Sequence, residues 1–331
     1  ARDIAWHHRA RDGASVMNEF LLPFERMLES LAPPAAVRAV EAGGSADALW
    51  DGLAASGFLD ALVPEERGGA GLPLAEVGAL WQALGRHAVP LPVGETMLAR
   101  ALLADAPDGP IALATAKPGA AIVVPFGRVA RHVLLDIDGT LYLVDAAGEP
   151  TGVPGSLAAR MRWDAAPSTS VGAAPAGGLR ALAAILRAAL IAGGADRLTA
   201  MTAAYASERV QFGKPIGKQQ ALQQQMAVMA EDMVACRIAA QLGCAGAFPP
   251  SLAGAATAKS VTSAAAVRLA ATAHAVHGAI GISEEYDLQL YTRRLHEGRL
   301  ADGSESYWNR LLGAARLADA RGSVDYVREL L

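Results

Sequence analysis

Residues 208–220, which read ERVQFGKPIGKQQ, place a cation and an aromatic ring three positions apart. If the Ala-rich helix before them continues, one helical turn puts Arg209 and Phe212 on the same face. A guanidinium beside a flat apolar ring suits a ligand that combines a diphosphate with an aromatic ring system. Gly213 and Pro215 would then end the helix and turn the chain. The simpler alternative is a helix C-terminus at which Arg209 acts as a capping residue.

This segment resembles the flavin-binding signature of the acyl-CoA dehydrogenase family, R-x-x-F-G-[KR]-P-[IL] followed by a Gln. The matching residues are Arg209, Phe212, Gly213, Lys214, Pro215, Ile216 and Gln220. A second stretch, residues 274–294, is similar to that family's Q-x-x-G-G-x-G-[FY]-x-x-E-[YF]-P-L run. Two motifs in the family's order are more specific than either alone. The resemblance implies an enzyme that uses FAD to oxidise an acyl-CoA thioester.

The resemblance also implies roles for residues of the first motif. Arg209 would contact the pyrophosphate of FAD, and Phe212 would pack against the dinucleotide. Gln220 would lie near the adenosine end, which such proteins reach across a subunit interface. Ordinary roles remain open, namely a salt bridge or a helix cap for Arg209 and core packing for Phe212. Because sites of this kind are assembled between protomers, a dimer at least is implied.

Residues of the second motif, and one beyond it, are implied at the same cofactor. Gly278 and Gly281 would let the backbone approach the FAD diphosphate closely. Ser304 stands where the family has a Thr or Ser near the AMP part. Two positions depart from the family pattern: its Gln is Ala275 here, and the second Gly of its Gly pair is Ala279.

The catalytic base of the family is a Glu in an E-G-[TS] turn, at a fixed distance from the Tyr of the second motif. Counting from Tyr286, that register falls on Asp302 and not on the Glu of the nearby Glu297-Gly298 pair. We therefore interpret Asp302 as the base that removes the α-proton of the thioester. Its side chain is one methylene shorter than Glu. Two alternatives stay open: Asp302 as the N-cap of the last helix, and Glu208 as the base.

Composition excludes several classes of function. The chain has 331 residues, of which 52% are hydrophobic and 19% charged, as in globular proteins. A net charge of −4 gives no electrostatic footprint for nucleic acid or an anionic membrane. The apolar run 181–194 is interrupted by Arg187 and is predicted to be too short to span a bilayer. Cys236 and Cys244 have neither metal-ligand nor disulfide spacing, so we expect no metal site and a reducing, cytoplasmic compartment.

The elements that must position these residues fall into successive regions. Residues 1–16 differ in character from the rest of the N-terminal region and are interpreted as a leader or remnant, and residues 17–106 are predicted to be helical. Residues 107–170 contain β-branched runs around an Asp138-Gly139 turn, typical of a small antiparallel β unit. Residues 171–331 return to long helices, which implies a bundle.

The predicted fold is therefore mainly α with a small β domain. It has the acyl-CoA dehydrogenase order: an N-terminal helical domain, a shortened middle antiparallel β domain and a C-terminal four-helix bundle. The helices of the bundle are predicted at about 179–212, 216–246, 250–280, 284–297 and 303–330. The middle region lacks the family's T-E-P-x-x-G-S-D and W-x-[IL]-x-G-x-K runs, so the manner in which the flavin ring is held is left open.

The leading functional hypothesis is α,β-dehydrogenation of an acyl-CoA to a trans-2-enoyl-CoA. By resemblance, electrons would pass to an electron-transfer flavoprotein. The short chain is similar to subunits that pair with a paralogous partner in α2β2 dehydrogenases of bulky thioesters, including steroid-derived ones. Assembly with itself, as a dimer or tetramer, stays equally open. Two alternative functions also stay open: a non-catalytic subunit that completes a partner's FAD site, and a flavin-dependent monooxygenase on the same scaffold.

Overall fold

The computed structural model describes residues 13–330. Most of the predicted leader, residues 1–12, lies outside the described residues, and the domain boundaries stay a prediction. The first region is helical, and its longer helices bury one face. For example, Val77, Leu80, Trp81 and Leu84 recur at helical spacing and are buried. Its helices are α1 (Gly13–Leu31), α2 (Pro34–Glu41), α3 (Asp47–Ala55), α4 (Leu74–Arg86) and α5 (Val93–Leu102).

The middle region forms two small sheets. Its strands are β1 (Ile111–Ala116), β2 (Ala121–Val124), β3 (His132–Ile137), β4 (Thr140–Asp145), β5 (Glu149–Pro150), β6 (Ala159–Arg162) and β7 (Gly172–Ala173). One sheet has the order β1-β3-β4-β7 and the other β2-β6-β5. The hairpin predicted at Asp138-Gly139 is present, since both residues have positive φ, 50° and 82°, as a tight two-residue turn requires.

One strand pair departs from the predicted antiparallel arrangement. β1 and β3 pair in parallel. The physical reason is that β2, the strand between them in sequence, leaves this sheet and pairs with β6 in the other. β3 must therefore run back alongside β1 after a crossover, and two strands joined in this way are parallel.

The last region consists of long helices packed around α6. These helices are α6 (Gly178–Glu208), α7 (Gln220–Gly243), α8 (Leu252–His277), α9 (Leu288–Leu300), α10 (Glu305–Ala318) and α11 (Ser323–Leu330). α6 packs against α4, α7, α8 and α9. Small residues allow the closest of these approaches, because a Cβ on Gly193 would lie 1.8 Å from the carbonyl oxygen of Gln82. The predicted fold class is confirmed.

The apolar run around Arg187 is longer than the sequence led us to expect. The 31-residue helix α6 is long and apolar enough to span a bilayer by length and composition, so the prediction that it is too short was wrong. However, 83% of its most apolar window is buried inside the protein. That is the environment of a central core helix. The cytoplasmic location stays a prediction.

The segment after α6 also differs from the prediction. The helix ends at Glu208, and residues 209–216 form a hairpin of two short strands, β8 (Val210–Gln211) and β9 (Lys214–Pro215). Its turn residues, Phe212 and Gly213, have φ of 53° and 76°. Since a left-handed residue cannot continue a helix, the prediction that Arg209 and Phe212 share a helical face was wrong.

Candidate active site

A cavity of about 570 Å³ lies where the N-terminal helices, the β unit and the bundle meet. α4 and α5 form one wall, the loops after β2 and before β6 form a second, and α6 and α9 form a third. The lining is mainly apolar, which favours a ligand with a sizeable hydrophobic part. Apolar residues of the lining include Leu84, Leu91, Val123, Leu157, Ile191 and Leu295.

Asp302 lines this cavity from the turn between α9 and α10. It adopts a left-handed conformation, with φ of 57°. The turn is held from below by Lys259 of α8, whose Nζ donates to the carbonyl oxygens of Gly303 at 2.8 Å and Arg299 at 2.9 Å. Trp308 Nε1 donates to the carbonyl oxygen of Asp302 at 3.2 Å. These bonds offset the cost of the strained backbone and fix the direction of the Asp302 side chain.

The alternative N-cap role for Asp302 is not what the structure shows. The N-cap residue of α10 is Ser304. The Asp302 carboxylate instead accepts a hydrogen bond from Arg187 of α6, with 3.1 Å between Nε and Oδ2. The other end of the same guanidinium faces Glu95 of α5, with 2.5 Å between Nη2 and Oε1. The order along this chain of charges is Glu95, Arg187, Asp302.

All three members of that chain are removed from solvent. The side chains of Arg187 and Glu95 are 4% and 1% exposed, and that of Asp302 is 10% exposed. Burial raises the pKa of Glu95, and Arg187 opposes that shift. Burial also opposes charge on Arg187, but Glu95 and Asp302 offset it, so the pKa of Arg187 is raised. Arg187 is therefore a permanent cation in the cavity wall.

Lys259 is the second buried cation near this turn. It is 0% exposed, and its third hydrogen bond goes to Ser263 Oγ at 2.8 Å. Burial lowers the pKa of Lys259 to about 7, while Asp302 works in the opposite direction. The two buried cations and two buried carboxylates thus balance when all are charged.

A second ion-paired group lies elsewhere on the cavity wall. Arg294 of α9 donates to Glu41 Oε1 at 2.9 Å and to the carbonyl oxygen of Val89 at 2.9 Å. Between it and Arg187 stands Phe126, which follows β2 and has φ of 58°. The Cζ atoms of Arg187 and Arg294 lie 5.6 Å and 5.7 Å from the centre of its ring. Phe126 thereby joins the β unit to two bundle helices through cation–π contacts.

The predicted cofactor residues occupy a different part of the surface. Arg209, Phe212 and Gln220 are all exposed, and the Phe212 ring is 91% exposed. The hairpin begins directly at the end of α6, where the Arg209 amide donates the last helical hydrogen bond to the Tyr205 carbonyl oxygen at 2.9 Å. The Tyr205 ring stacks on His277 with 4.5 Å between centroids. The first motif is thus adjacent to the end of α8, where the second motif begins.

The local chemistry at this surface fits an anionic dinucleotide such as FAD. Arg209 and Lys214 supply cations, and Phe212 supplies an uncovered ring. Gly278 has φ of 61° and open space where a Cβ would lie, so a ligand can approach its backbone. The buried Nε2 of His277 has no hydrogen-bond partner among the described residues.

The remaining residues predicted from the sequence lie in differing environments. Gly281 is buried, and a Cβ there would meet the His277 side chain at 2.9 Å, so part of its role is close packing. Ser304, the N-cap of α10, makes no capping hydrogen bond through its side chain. Glu208, the alternative base, is exposed at the end of α6 and does not line the cavity.

Sequence reasoning missed three functional candidates: Glu95, Arg187 and Lys259. A signal was present for two of them. Arg187 and Lys259 are isolated charges inside long Ala-rich runs, where a helix that is apolar all round would be buried. A charge in such a helix needs a buried partner. The partner itself could not be read from the sequence, since Asp302 lies 115 residues from Arg187.

Comparison with known proteins identifies the family. The model of the acyl-CoA dehydrogenase N-terminal domain matches residues 22–106, and that of the C-terminal domain matches residues 181–318. The acyl-CoA dehydrogenase IpdE2 of Mycobacterium tuberculosis is 36% identical over 280 residues, covering 80% of this chain and 86% of the relative. These matches span both helical regions.

Solved structures agree with the fold. A variant of the Tcur3481-Tcur3483 steroid ACAD has a TM-score of 0.81 and 26% identity, covering 92% of this chain and 99% of that one. The ChsE4-ChsE5 complex from Mycobacterium tuberculosis has a TM-score of 0.78 and 22% identity, covering 96% and 100%. The predictions of enzyme class and cofactor are confirmed at the level of the family. The chain belongs to the acyl-CoA dehydrogenase family of FAD-dependent oxidoreductases that act on acyl-CoA thioesters.

Proposed function

We propose that this protein dehydrogenates an acyl-CoA thioester between its α and β carbons, giving a trans-2-enoyl-CoA, with Asp302 as the base. The single observation that carries the proposal is the placement of the Asp302 carboxylate on a fixed turn in the wall of a large, mainly apolar cavity. A carboxylate in such a position can reach the α carbon of an acyl group whose chain fills the cavity. Water would be largely excluded once the cavity is filled.

The chemistry divides between the cofactor and the protein. When bound, FAD supplies the acceptor for the β-hydrogen, which leaves as hydride. Asp302 takes the α-proton onto its carboxylate. Lys259 and Trp308 hold the backbone of the turn and so keep that carboxylate in place. The apolar lining holds the acyl group and orders it relative to Asp302.

The cofactor would be held at the surface formed by the hairpin and the end of α8. Arg209, Phe212 and Gln220 are exposed and Gly278 is approachable, so the second half of the site is expected from another protomer. A paralogous partner is supported by the ChsE4-ChsE5 complex, a two-component neighbour in fold. The alternative is an assembly of identical subunits, in which a second copy of this chain would supply the other half of the site.

The size of the cavity supports a bulky acyl group. A volume of about 570 Å³ exceeds what a short linear chain needs, and the steroid ACAD neighbour points in the same direction. We propose a branched or polycyclic thioester, including steroid-derived ones, as the substrate class. Electrons would pass to an electron-transfer flavoprotein, and the enzyme would act in the cytoplasm.

The test is an anaerobic titration of the purified flavoprotein with linear, branched and polycyclic acyl-CoA thioesters, followed by flavin absorbance. We expect bleaching with a bulky thioester. Asp302→Asn should slow flavin reduction about 10³-fold because the base is lost, while flavin content stays the same. Asp232→Asn, which alters an ion-paired carboxylate on α7 outside the cavity, serves as the control. Full dehydrogenation by Asp302→Asn would exclude Asp302 as the base.

A second candidate function is favoured by one observation. The Asp302 carboxylate is already paired with a buried guanidinium, and a carboxylate engaged in this way would suit a non-catalytic subunit that completes a partner's FAD site. In that case the protein purified alone would be colourless, and Asp302→Asn would leave the activity of the assembled complex unchanged. A monooxygenase on this scaffold needs no α-proton base and would consume oxygen with no enoyl-CoA formed.

A further inference from the structure

The charge chain Glu95–Arg187–Asp302 binds the proposed base to an arginine. A carboxylate next to a lone guanidinium holds protons poorly, because protonation leaves the guanidinium without a counter-charge. In a buried site that loss is costly. Here the guanidinium has a second carboxylate, Glu95, on its other side.

That second carboxylate changes the balance of charge. Burial raises the pKa of Glu95, but the guanidinium of Arg187 opposes that shift and favours the ionised carboxylate. With all three groups ionised, the chain carries one net negative charge. When Asp302 takes a proton, Arg187 and Glu95 remain as a neutral pair, 2.5 Å apart and nearly without solvent contact. No buried guanidinium is then left unpaired. The energetic penalty that would make Asp302 a poor base is therefore reduced by Glu95.

We propose that Arg187 and Glu95 are positioning residues that together set how readily the Asp302 carboxylate accepts a proton. Arg187 holds the carboxylate through Nε and fixes its orientation. Glu95 neutralises Arg187 in the protonated state, and its own negative charge favours proton uptake by Asp302. This inference rests on the proposed function, since it refines the role of the same base.

Other charged groups face this turn and must be considered together with the chain. Lys259 of α8 and Glu305 of α10 lie near it, and Glu305 is paired with Arg299. Further along the cavity wall stand Glu41, Arg294 and Glu297. Of these, Lys259 is the group most able to interfere, because the pKa of Lys259 is lowered to about 7 by burial. A measurement on the Asp302 carboxyl group itself, in addition to activity, separates the effect of Lys259 from the effect of Arg187 and Glu95.

The test uses protein labelled with carboxyl-¹³C aspartate, in which the Asp302 signal is assigned by its loss in Asp302→Asn. The signal is titrated by NMR in the wild type, in Glu95→Gln and in Arg187→Met. Glu95→Gln removes a negative charge and should move the titration midpoint of Asp302 to lower pH, by about 1 pH unit. Arg187→Met removes the cation and should move the midpoint to higher pH, by about 1 pH unit or more. Asp232→Asn should leave it unchanged.

The acid limb of the pH profile for flavin reduction should move with the NMR midpoints, to lower pH in Glu95→Gln and to higher pH in Arg187→Met. Glu95→Gln keeps the size of the side chain, so it remains informative if Arg187→Met fails to fold. Equal midpoints in Glu95→Gln and the wild type, with flavin reduction lost in Asp302→Asn, would overturn this inference alone. Retained dehydrogenation in Asp302→Asn would overturn the proposed base, and the inference with it.

Discussion

The cavity around Asp302 and the hairpin around Phe212 are opposite in character. In the cavity wall the buried charges are paired, as Arg187 shows with Glu95 and Asp302 on its two sides. At the hairpin, Arg209 is exposed and the Phe212 ring is 91% exposed. Among the residues that the structure describes, Phe212 is the most exposed of the large apolar side chains.

The difference indicates how the two halves of the proposed reaction are organised. In the proposed reaction, the groups for proton abstraction would lie within one chain, where packing holds them in place. The proposed groups for cofactor binding would form half of a site, which a ligand and a second subunit would cover. Substitutions in the cavity region should therefore act on the fold and on the base, whereas substitutions in the hairpin should act on the assembly with FAD.

A matched pair of glycine substitutions tests this contrast most strongly. A Cβ on Gly193 would lie 1.8 Å from the Gln82 carbonyl oxygen, so Gly193→Ala should lower the free energy of unfolding by about 3 kcal/mol. Gly213 faces open space, and only its φ of 76° opposes Ala, so Gly213→Ala should cost about 1 kcal/mol. Urea unfolding of both variants measures this. Equal losses would mean that the hairpin is as tightly packed as the core.

The next effect is on cofactor binding. Arg209→Ala should weaken FAD binding about 10- to 100-fold, because a charge-assisted contact with the diphosphate is lost. The FAD content after purification and a titration of the cofactor-free protein would measure the change. Arg160→Ala, which removes an exposed arginine from β6, is the control and should bind FAD normally. Normal FAD binding by Arg209→Ala would place the cofactor elsewhere.

A pH effect on the free energy of unfolding should come from the buried cavity region and not from the exposed hairpin. The pKa of Lys259 is lowered to about 7, whereas in the unfolded chain it returns to about 10.4. Between these values the unfolded state binds more protons, so stability should rise with pH from 7 to 9. Lys259→Met should lack this rise, while the exposed Lys117→Met should keep it. If the melting temperature rose equally between pH 7 and 9 in the wild type and in Lys259→Met, the lowered pKa of Lys259 would be contradicted.

The smallest effect is expected at the most exposed ring. Phe212→Ser should change the unfolding free energy of the FAD-free protein by no more than about 0.5 kcal/mol, because the ring buries almost nothing there. The same change at the fully buried Phe24 should cost about 3 kcal/mol. Melting temperatures with and without FAD should show that Phe212→Ser reduces only the stabilisation by cofactor. A large loss in the FAD-free protein would mean that Phe212 supports the fold itself.

The sequence was informative where local chemistry decides the structure. The Asp138-Gly139 turn and the long Ala-rich helices follow from residue preferences, and both are present. The register that selected Asp302 over Glu297 also led to a residue in the cavity wall, although Glu297 lines the same cavity. The hairpin at Phe212 escaped prediction because a phenylalanine rarely adopts positive φ, so nothing in its type indicated a turn.

Three residues of the cavity region escaped prediction for a different reason. Arg187, Glu95 and Lys259 act through contacts between α5, α6, α8 and the turn after α9, which are far apart in sequence. The isolated charges of Arg187 and Lys259 could indicate burial, but only the packing of the helices shows which charges meet. The parallel pairing of β1 with β3 is similar, because it depends on β2 joining the other sheet.

Phe126 gives the cavity a further property. Its ring comes from the β unit but rests between the guanidinium groups of Arg187 on α6 and Arg294 on α9. Because this one ring contacts a guanidinium on each helix, a shift of the loop after β2 would change the surroundings of Arg187 and Arg294 together. The wall of the cavity that the β unit forms is therefore coupled through Phe126 to the wall that the helices form.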